Sequence, residues 1–487
     1  MPGGTFYRAA TAPSTAFPTT LFSIDTGGPA GHTLAGMLGW LLNAVYAAMA
    51  CATAPLWVAR MVRHGKYRRD WAQRLGRSPR SYGPQPAIWI HGVSVGEVNA
   101  ARQLVAELHA QLPDFRVVVS TTTDTGLAAA RRLFAPDHAV FRYPLDFTFA
   151  VGAALDRVRP ALVVLMEGDV WPNFVAACNE RDVPVVIVNG RIGPRKGFPR
   201  YRRVRPLAAR LFNRLAAIGV QHQAYADLYR RLGVRDERLH VTGMVKYDTA
   251  EVGDRVAGQA ELAAALGLAG DDRLVVAGGT GAGEEAAVLD AFAELGRSAG
   301  NGSARLAIVP RKPERFDEVA RLIAGRGLAA VRRSRCPDGT RRDLPPQAVI
   351  LGDTMGELRK FYALAACIFV GRSLVPEGGS DMIEAAALGK PVAFGPHTFN
   401  FPQAETMVAA GCARRVADTH ELAGSLREWL ADGQAAGEMG TKARQFVCSQ
   451  QGATRRNLEM ICGVLGRTPP LAPGGVATDA ITGGAKT

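Results

Sequence analysis

Residues 161–174 read ALVVLMEGDVWPNF: six apolar residues in a row, then carboxylates at Glu167 and Asp169, then Trp171 and Pro172. A short aliphatic run without polar alternation suits a strand buried on both faces of a parallel sheet. The stretch after it, Trp171–Arg181, has helical periodicity. Working outward, the same pairing of apolar run and helical stretch recurs at Ile88–Val93 (followed by Val98–Leu112), Arg116–Ser120 and Val183–Val188. It pauses in the Ala/Gly-rich residues 250–272 and restarts at Leu274–Ala277, Leu306–Val309, Ala348–Leu351, Ile368–Val370 and Val392–Phe394. This rhythm predicts an α/β protein with two doubly wound domains, 61–255 and 270–465. Such sheets bind ligands beyond the carboxyl ends of their strands, so a cleft between two facing domains is the expected site.

Composition agrees. A chain of 487 residues is too long for one core and fits two domains. With 47% hydrophobic and 21% charged residues it is neither a disordered chain, a collagen-like fibre nor a many-span membrane protein. The net charge of +14 calls for anionic partners. Seven scattered cysteines with no CxxC pair argue against a zinc site or a disulfide framework and suit a reducing compartment.

No Lys, Arg, Asp or Glu occurs between Thr26 and Ala59, and Leu34–Val58 is long enough to span a bilayer. Arg60, Arg63, Lys66, Arg68 and Arg69 follow at once, which places the rest of the chain in the cytoplasm. Residues 34–60 are therefore expected to form a membrane-anchor helix. Asn43 and Pro55 weaken a span, leaving an interfacial helix open as the alternative. Residues 1–33 carry no pattern and 468–487 read as a disordered tail.

Ser94-Val-Gly-Glu97 has the form of a capping box, the Glu97 carboxylate reaching back to the Ser94 amide. Equally, Glu97 is a carboxylate at the cleft mouth, able to take a proton from a hydroxyl. For Glu167 and Asp169 the choice lies between a substrate-facing pair and an ordinary helix start, with Asp169 as the cap. Arg191–Arg205 holds seven cations and no acid, a solvated basic face or a seat for anionic headgroups. Nucleic acid is disfavoured, since no recognised module or interleaved aromatics accompany these charges. Gly378-Gly-Ser-Asp-Met-Ile-Glu384 opens a helix whose free amides would receive a phosphate, with Glu384 accepting from ribose hydroxyls. Pro310-Arg311 and Met355-Gly356-Glu357 stand at two further strand-to-helix junctions. No metal-binding spacing is present, so a reaction without metal or other cofactor is expected.

Taken together, HGVSVGEVNAAR, VVLMEGDVWPNF, YRRVRPL, VTGMVKYDT, VPRKPERF, GDTMGELRKFYALA, GRSLVPEGG, EAAALGKPV and GPHTFNF resemble the 3-deoxy-D-manno-octulosonic acid (Kdo) transferases of lipopolysaccharide assembly. GKYRRDWAQRLG resembles the segment following that family's anchor, and the likeness runs from about Leu41 to about Arg455. It implies a GT-B glycosyltransferase fold of two Rossmann-like domains, the second taking the nucleotide sugar. It also implies an inner-membrane anchor with cytoplasmic catalytic domains, CMP-Kdo as donor and an anionic lipid A precursor as acceptor. By the resemblance Glu97 is the catalytic base, and Glu167 and Lys246 stabilise the transition state. CMP contacts fall on Pro310, Arg311, Met355, Gly356, Glu357, Asp381, Met382, Ile383 and Glu384. Three departures stand out. Ser380-Asp381 replaces His-Asn, Gly279-Thr280-Gly281 replaces Ser-Thr-His, and Asp169 shortens a glutamate. The rival readings are a related glycosyltransferase using another nucleotide sugar, an inactive binder of anionic glycolipid, and a sugar-nucleotide epimerase of the same fold.

Overall fold

The computed structural model describes residues 29–64, 69–78, 85–193, 197–296, 304–339, 344–345 and 347–468. Two seven-stranded sheets carry the fold, with every pairing parallel. The first contains β1 (Ala87–His91), β2 (Arg116–Thr121), β3 (Ala139–Arg142), β4 (Pro160–Met166), β5 (Val185–Gly190), β6 (Ala217–Val220) and β7 (Leu239–Val241), in the order β3-β2-β1-β4-β5-β6-β7. The second contains β8 (Arg273–Thr280), β9 (Ala304–Pro310), β10 (Ala330–Arg332), β11 (Val349–Leu351), β12 (Ala365–Val370), β13 (Val392–Phe394) and β14 (Arg414–Arg415), in the order β10-β11-β9-β8-β12-β13-β14. All nine apolar runs picked out in the sequence are strands. The others, β3, β6, β7, β10 and β14, are two to four residues long, and all but β6 contain a His or Arg that interrupts the apolar run.

Each sheet is buried on both faces. In the first, Trp89, Val163 and Leu165 pack on one side while Ile88, Ile90 and Val164 pack on the other. The second divides the same way, with Val276 and Ile368 on one face and Val275 and Phe369 on the other. Strand order reverses between β1 and β4, and between β8 and β12. Those two switch points open the crevices of the two lobes.

The lobes are tied at the back by the last helix, Ala453–Val464. The sequence reading placed it with the second domain, but Leu458, Met460 and Ile461 pack into the core of the first. Asp248 fixes its start. One carboxylate oxygen accepts from Gly452 N at 2.6 Å and from Ala453 N at 3.3 Å, and the other accepts from Thr454 N.

At the other end, Pro29–His64 is one 36-residue helix. Within it, Gly39–Arg63 has a mean hydropathy of 1.5, long and apolar enough to cross a membrane by length and composition. The helix begins earlier than the expected anchor, taking in residues 29–33. The rest of the expected extension and nearly all of the expected tail lie outside the described residues.

Asp248→Ala is expected to cost about 1–2 kcal/mol in a urea titration, as lost helix caps do, and Asp248→Asn to retain most of that. An unchanged midpoint for Asp248→Ala would show that the cap does not fasten the helix.

Candidate active site

The turn after β1 carries Glu97 in the first turn of the helix Val95–Gln111. Ser94 caps that helix, its Oγ accepting from Glu97 N at 3.4 Å. Ser94 Oγ also donates to Glu97 Oε1 at 3.0 Å. The other carboxylate oxygen accepts from Val93 N at 2.9 Å, not from the Ser94 amide expected of a capping box. The box therefore aims the carboxylate without hiding it: Glu97 is half-buried and lines a hollow of about 490 Å³ with Glu167, Asp169 and Arg191.

Glu167 ends β4 in a left-handed conformation, φ 61°, followed by Gly168 at φ 114°. Its Oε2 takes Arg191 Nε and Nη2, both at 2.8 Å. Burial pushes its pKa above the usual carboxylate range; Arg191 opposes the shift and the nearby Glu97 charge adds to it.

Asp169 does not cap the following helix, Pro172–Asn179. That part belongs to Asp146, whose oxygens accept from Asn173 N at 3.1 Å and Phe174 N at 2.8 Å. Asp146 reaches in from the loop after β3, and burial raises its pKa to about 6. Asp169 instead accepts from Trp171 Nε1 at 2.9 Å and lies 3.7 Å from His91 Nε2. Burial alone would raise its pKa, but the His91 and Trp171 interactions outweigh that and leave it lowered. His91 is itself fixed, stacked 3.8 Å from the Tyr143 ring with Nδ1 3.0 Å from Ser120 Oγ.

A larger cavity of about 930 Å³ lies between the lobes. The first lobe gives it Gly96, Arg102, Glu167, Asn189, Arg191, Tyr225 and Lys246; the second gives Gly279, Arg311, Arg372, Ser380, Asp381 and Glu384. Lys246 Nζ stands 2.7 Å from Asp381 Oδ2, an ion pair across the cleft. The other Asp381 oxygen accepts from Ile383 N at 3.1 Å. Asp381 lines the cavity with its charge compensated by Lys246. Glu384 opens onto the same cavity, its pKa raised by desolvation and by the Asp381 charge.

The remaining expected contacts divide. Arg311 lines the cavity at the end of β9, beside the buried Pro310. Met382 and Ile383 send their side chains into the core, leaving only backbone for a ligand. Met355, 68% exposed, and Gly356 are not among the residues that line the cavity. The Glu357 carboxylate is already engaged by Arg333 at 2.9 and 3.0 Å, by Thr354, and by Lys360 at 3.3 Å.

The sequence shows Gly278–Glu284 only as a glycine-rich turn opening a helix and assigns Glu284 no role. Glu284 is fully buried and its carboxylate accepts four backbone amides: Gly281 at 2.9 Å, Arg372, Ser373 at 2.7 Å and Leu374 at 2.8 Å. It thereby fixes the turn after β8 to the turn after β12, the two sides of the second switch point. The signal was Gly283-Glu284-Glu285, a carboxylate opening a helix after a glycine turn. Asn189 and Gln221 were missed as well, though Asn189 closes the apolar run of β5 and Gln221 follows β6 as Glu167 follows β4. Among the described residues no three His, Cys, Asp or Glu side chains are grouped so as to hold a metal ion.

Comparisons with known proteins agree with one another. The family profile described as 3-deoxy-D-manno-octulosonic-acid transferase (kdotransferase) matches residues 69–249. The 3-deoxy-D-manno-octulosonic acid transferase of Bordetella pertussis is 35% identical over 428 residues, covering 84% of this chain and 96% of that protein. That of Haemophilus influenzae is 32% identical over 409 residues, covering 82% and 92%. Among solved structures, a glycosyltransferase from Rickettsia africae aligns with TM-score 0.56 and 12% identity over 79% of this chain and all of that one. A UDP-GlcNAc 2-epimerase from Neisseria meningitidis aligns with TM-score 0.53 and 14% identity, covering 78% and 100%. At such identities the last two bear on the fold alone: two Rossmann-like lobes in the GT-B arrangement.

Arg333 holds the Glu357 pKa down to about 2, well below the ordinary 4.5 of a glutamate. A depressed carboxylate stabilises the folded state above its unfolded pKa and loses that contribution as pH falls. Urea midpoints should therefore show Glu357→Gln less stable than the parent at pH 7, the gap closing between about pH 4.5 and 2. A gap that is constant with pH would show that the ion pair does not stabilise the lobe.

Proposed function

The chain belongs to the 3-deoxy-D-manno-octulosonic acid transferases, glycosyltransferases of lipopolysaccharide core assembly, and from that membership we propose that it takes Kdo from CMP-Kdo and places it on an anionic lipid A precursor at the cytoplasmic face of the inner membrane. The single observation carrying this reading is that Glu97 and the Arg311–Ser380–Glu384 edge border two adjoining hollows, which share Glu167, Arg191, Tyr225 and Asn400, at the facing switch points of the two lobes. Donor and acceptor can then meet in one cleft.

Glu97 is the base. Its orientation is set by Val93 N and Ser94 Oγ, leaving carboxylate lone pairs for an acceptor hydroxyl. As that oxygen bonds to the anomeric carbon of Kdo, its proton passes to Glu97. The bond from the anomeric carbon to the CMP phosphate oxygen breaks on the opposite face, and CMP leaves with the electron pair. Inversion follows from the single in-line displacement. The charge growing on the phosphate meets Arg311 and the backbone amides near Ser380 and Asp381, and fixed dipoles are most effective in such a cleft. Lys246 supplies positive charge next to the reacting centre. Glu167, clamped by Arg191, borders both hollows and orders the polar groups around the forming bond. Kdo carries a carboxylate, CMP a phosphate and the acceptor two phosphates, which suits a chain of net charge +14. Met355 to Glu357 and the backbone of Met382 and Ile383 would complete the CMP seat.

Glu97→Gln should keep the parent's thermal unfolding midpoint while turnover of CMP-Kdo with a lipid A precursor falls by about a hundredfold or more, the usual cost of losing a general base. Undiminished turnover would remove Glu97 from the mechanism. Transfer from UDP-sugars but not from CMP-Kdo would overturn the donor.

Asp381 competes with the donor for Lys246. Asp381→Asn is expected to lower the donor KM about two- to fivefold, the scale of a partly exposed ion pair worth up to about 1 kcal/mol. A raised donor KM would mean that Asp381 binds the donor and does not merely balance Lys246.

A further inference from the structure

The long amino-terminal helix is not held only by its ends. Gly39, Asn43 and Tyr46 recur on one helix face. Asn43 Nδ2 donates to Thr148 Oγ1 at 2.7 Å, while its Oδ1 accepts from Thr148 N at 3.1 Å and Asn173 Nδ2 at 3.2 Å. Tyr46 donates to Asp146 Oδ2 at 3.1 Å. Its ring meets Phe147 edge-on at 6.0 Å and Trp171 at 6.5 Å. Further along, Trp57 lies 6.4 Å from Trp71. Trp71 opens the short helix Trp71–Arg74, where Gln73 accepts from Arg142 N at 2.8 Å and Arg74 O accepts from Leu145 N at 2.8 Å. Asn43 and Trp57 are about 21 Å apart at the rise of an α-helix, and both are fastened to the first lobe. The helix thus runs along that lobe instead of leaving it. Its outer side exposes Trp40, Leu41, Val45, Met49, Leu56 and Val62.

Two polar residues of an apolar helix are therefore linked, through Asp146 and Trp171, to the hollow that holds Glu97. Asp146, which accepts from Tyr46, also holds the first amides of Pro172–Asn179. Trp171, which faces the Tyr46 ring, holds Asp169, a lining residue of the hollow that contains Glu97. We infer that the docked helix is a structural wall of the acceptor mouth, with Asn43 and Tyr46 as positioning residues that fix Trp171 and Asp169 opposite Glu97. Its outer apolar face lies in the membrane leaflet that presents the lipid acceptor. This rests on the acceptor-lobe reading given above. Helix orientation follows from elementary cost: an amide and a phenol buried in lipid without partners are unfavourable, whereas on this lobe both are satisfied. Turned away from the lobe, the helix would lose all four of these hydrogen bonds.

The test uses the full chain and the lipid acceptor together in detergent micelles, so that tethering to a bilayer is not limiting. Tyr46→Ala and Asn43→Ala are compared with Tyr46→Phe, and with Leu41→Ala on the outer face. Hydrogen–deuterium exchange at residues 169–174 should quicken about tenfold or more in Tyr46→Ala and Asn43→Ala, since the cap and its support loosen together. Acceptor KM should rise about fivefold or more with the donor KM unchanged, Tyr46→Phe should recover part of the loss through its ring, and Leu41→Ala should match the parent. Wild-type exchange at 169–174 in Tyr46→Ala overturns the inference, and so does quickened exchange with an unaltered acceptor KM. Should Tyr46→Ala unfold, Tyr46→Phe and Asn43→Ala carry the same two readouts. If the parent moves no Kdo but Tyr46→Ala still quickens exchange, the reaction proposed above fails while the coupling of helix to mouth holds.

Discussion

A parallel sheet covered on both faces leaves its polar groups one place to go, and the rest of this structure depends on that constraint. Strands such as AIWIH and ALVVLM bury every residue or nearly so, and their backbone groups are consumed by neighbouring strands. Carboxylates, amides and cations are therefore pushed to the strand ends. At the carboxyl ends, order reversals at β1/β4 and β8/β12 part the neighbouring turns and open a crevice in each lobe. With the last helix crossing back to the first lobe, the two crevices face each other and become one cleft.

That cleft is a balanced set of charges, not a uniformly basic trough. Glu167 is held by Arg191, Asp381 by Lys246 and Glu377 by Arg372 at 2.9 Å. Balance of this kind spares each charge the cost of standing alone in a partly buried site, and it gives an anionic ligand partners that can be exchanged. Residues 279–281 and 380–381 are neighbours in space at one edge of the cleft. Ser380 Oγ donates to Gly279 O at 2.8 Å, and a Cβ on Gly281 would sit 2.9 Å from Glu377 Oε2. The Arg372–Glu377 pair fills the room a side chain at 281 would need, so the two segments form one packed corner.

How far the sequence disclosed this follows from the range of each interaction. The long strands and the carboxylates at their ends were legible because apolar runs and polar breaks are local patterns. Glu97 was legible twice, as a cap and as a cleft carboxylate, and the two readings prove compatible. Asp146 was not, since it caps a helix that begins 26 residues later and nothing near it in sequence announces the contact. Glu284 was missed for the same reason: three of its four amides come from residues 372–374, joined only when β8 and β12 pair. Asn43 read as a flaw in a membrane span because its partners, Thr148 and Asn173, lie more than a hundred residues away.

Strain shows where this arrangement is most tightly determined. Of the six described residues other than glycine with positive φ, three stand at the cleft: Glu167, Asn189 and Arg372, each within two residues of the carboxyl end of β4, β5 or β12. Each left-handed residue costs about 1–2 kcal/mol, so a chain free to relax would abandon it. Here it cannot. Glu167 N is bonded to Val188 O at 2.9 Å, Asn189 Oδ1 accepts from Val245 N at 3.3 Å, and the Arg372 amide is taken by the buried Glu284. The conformation turns each side chain out of its strand direction and toward the gap between the lobes, which a regular strand ending would not do. Strain retained at these three places and held from behind by buried partners is the mark of a site whose groups are set in position before any ligand arrives.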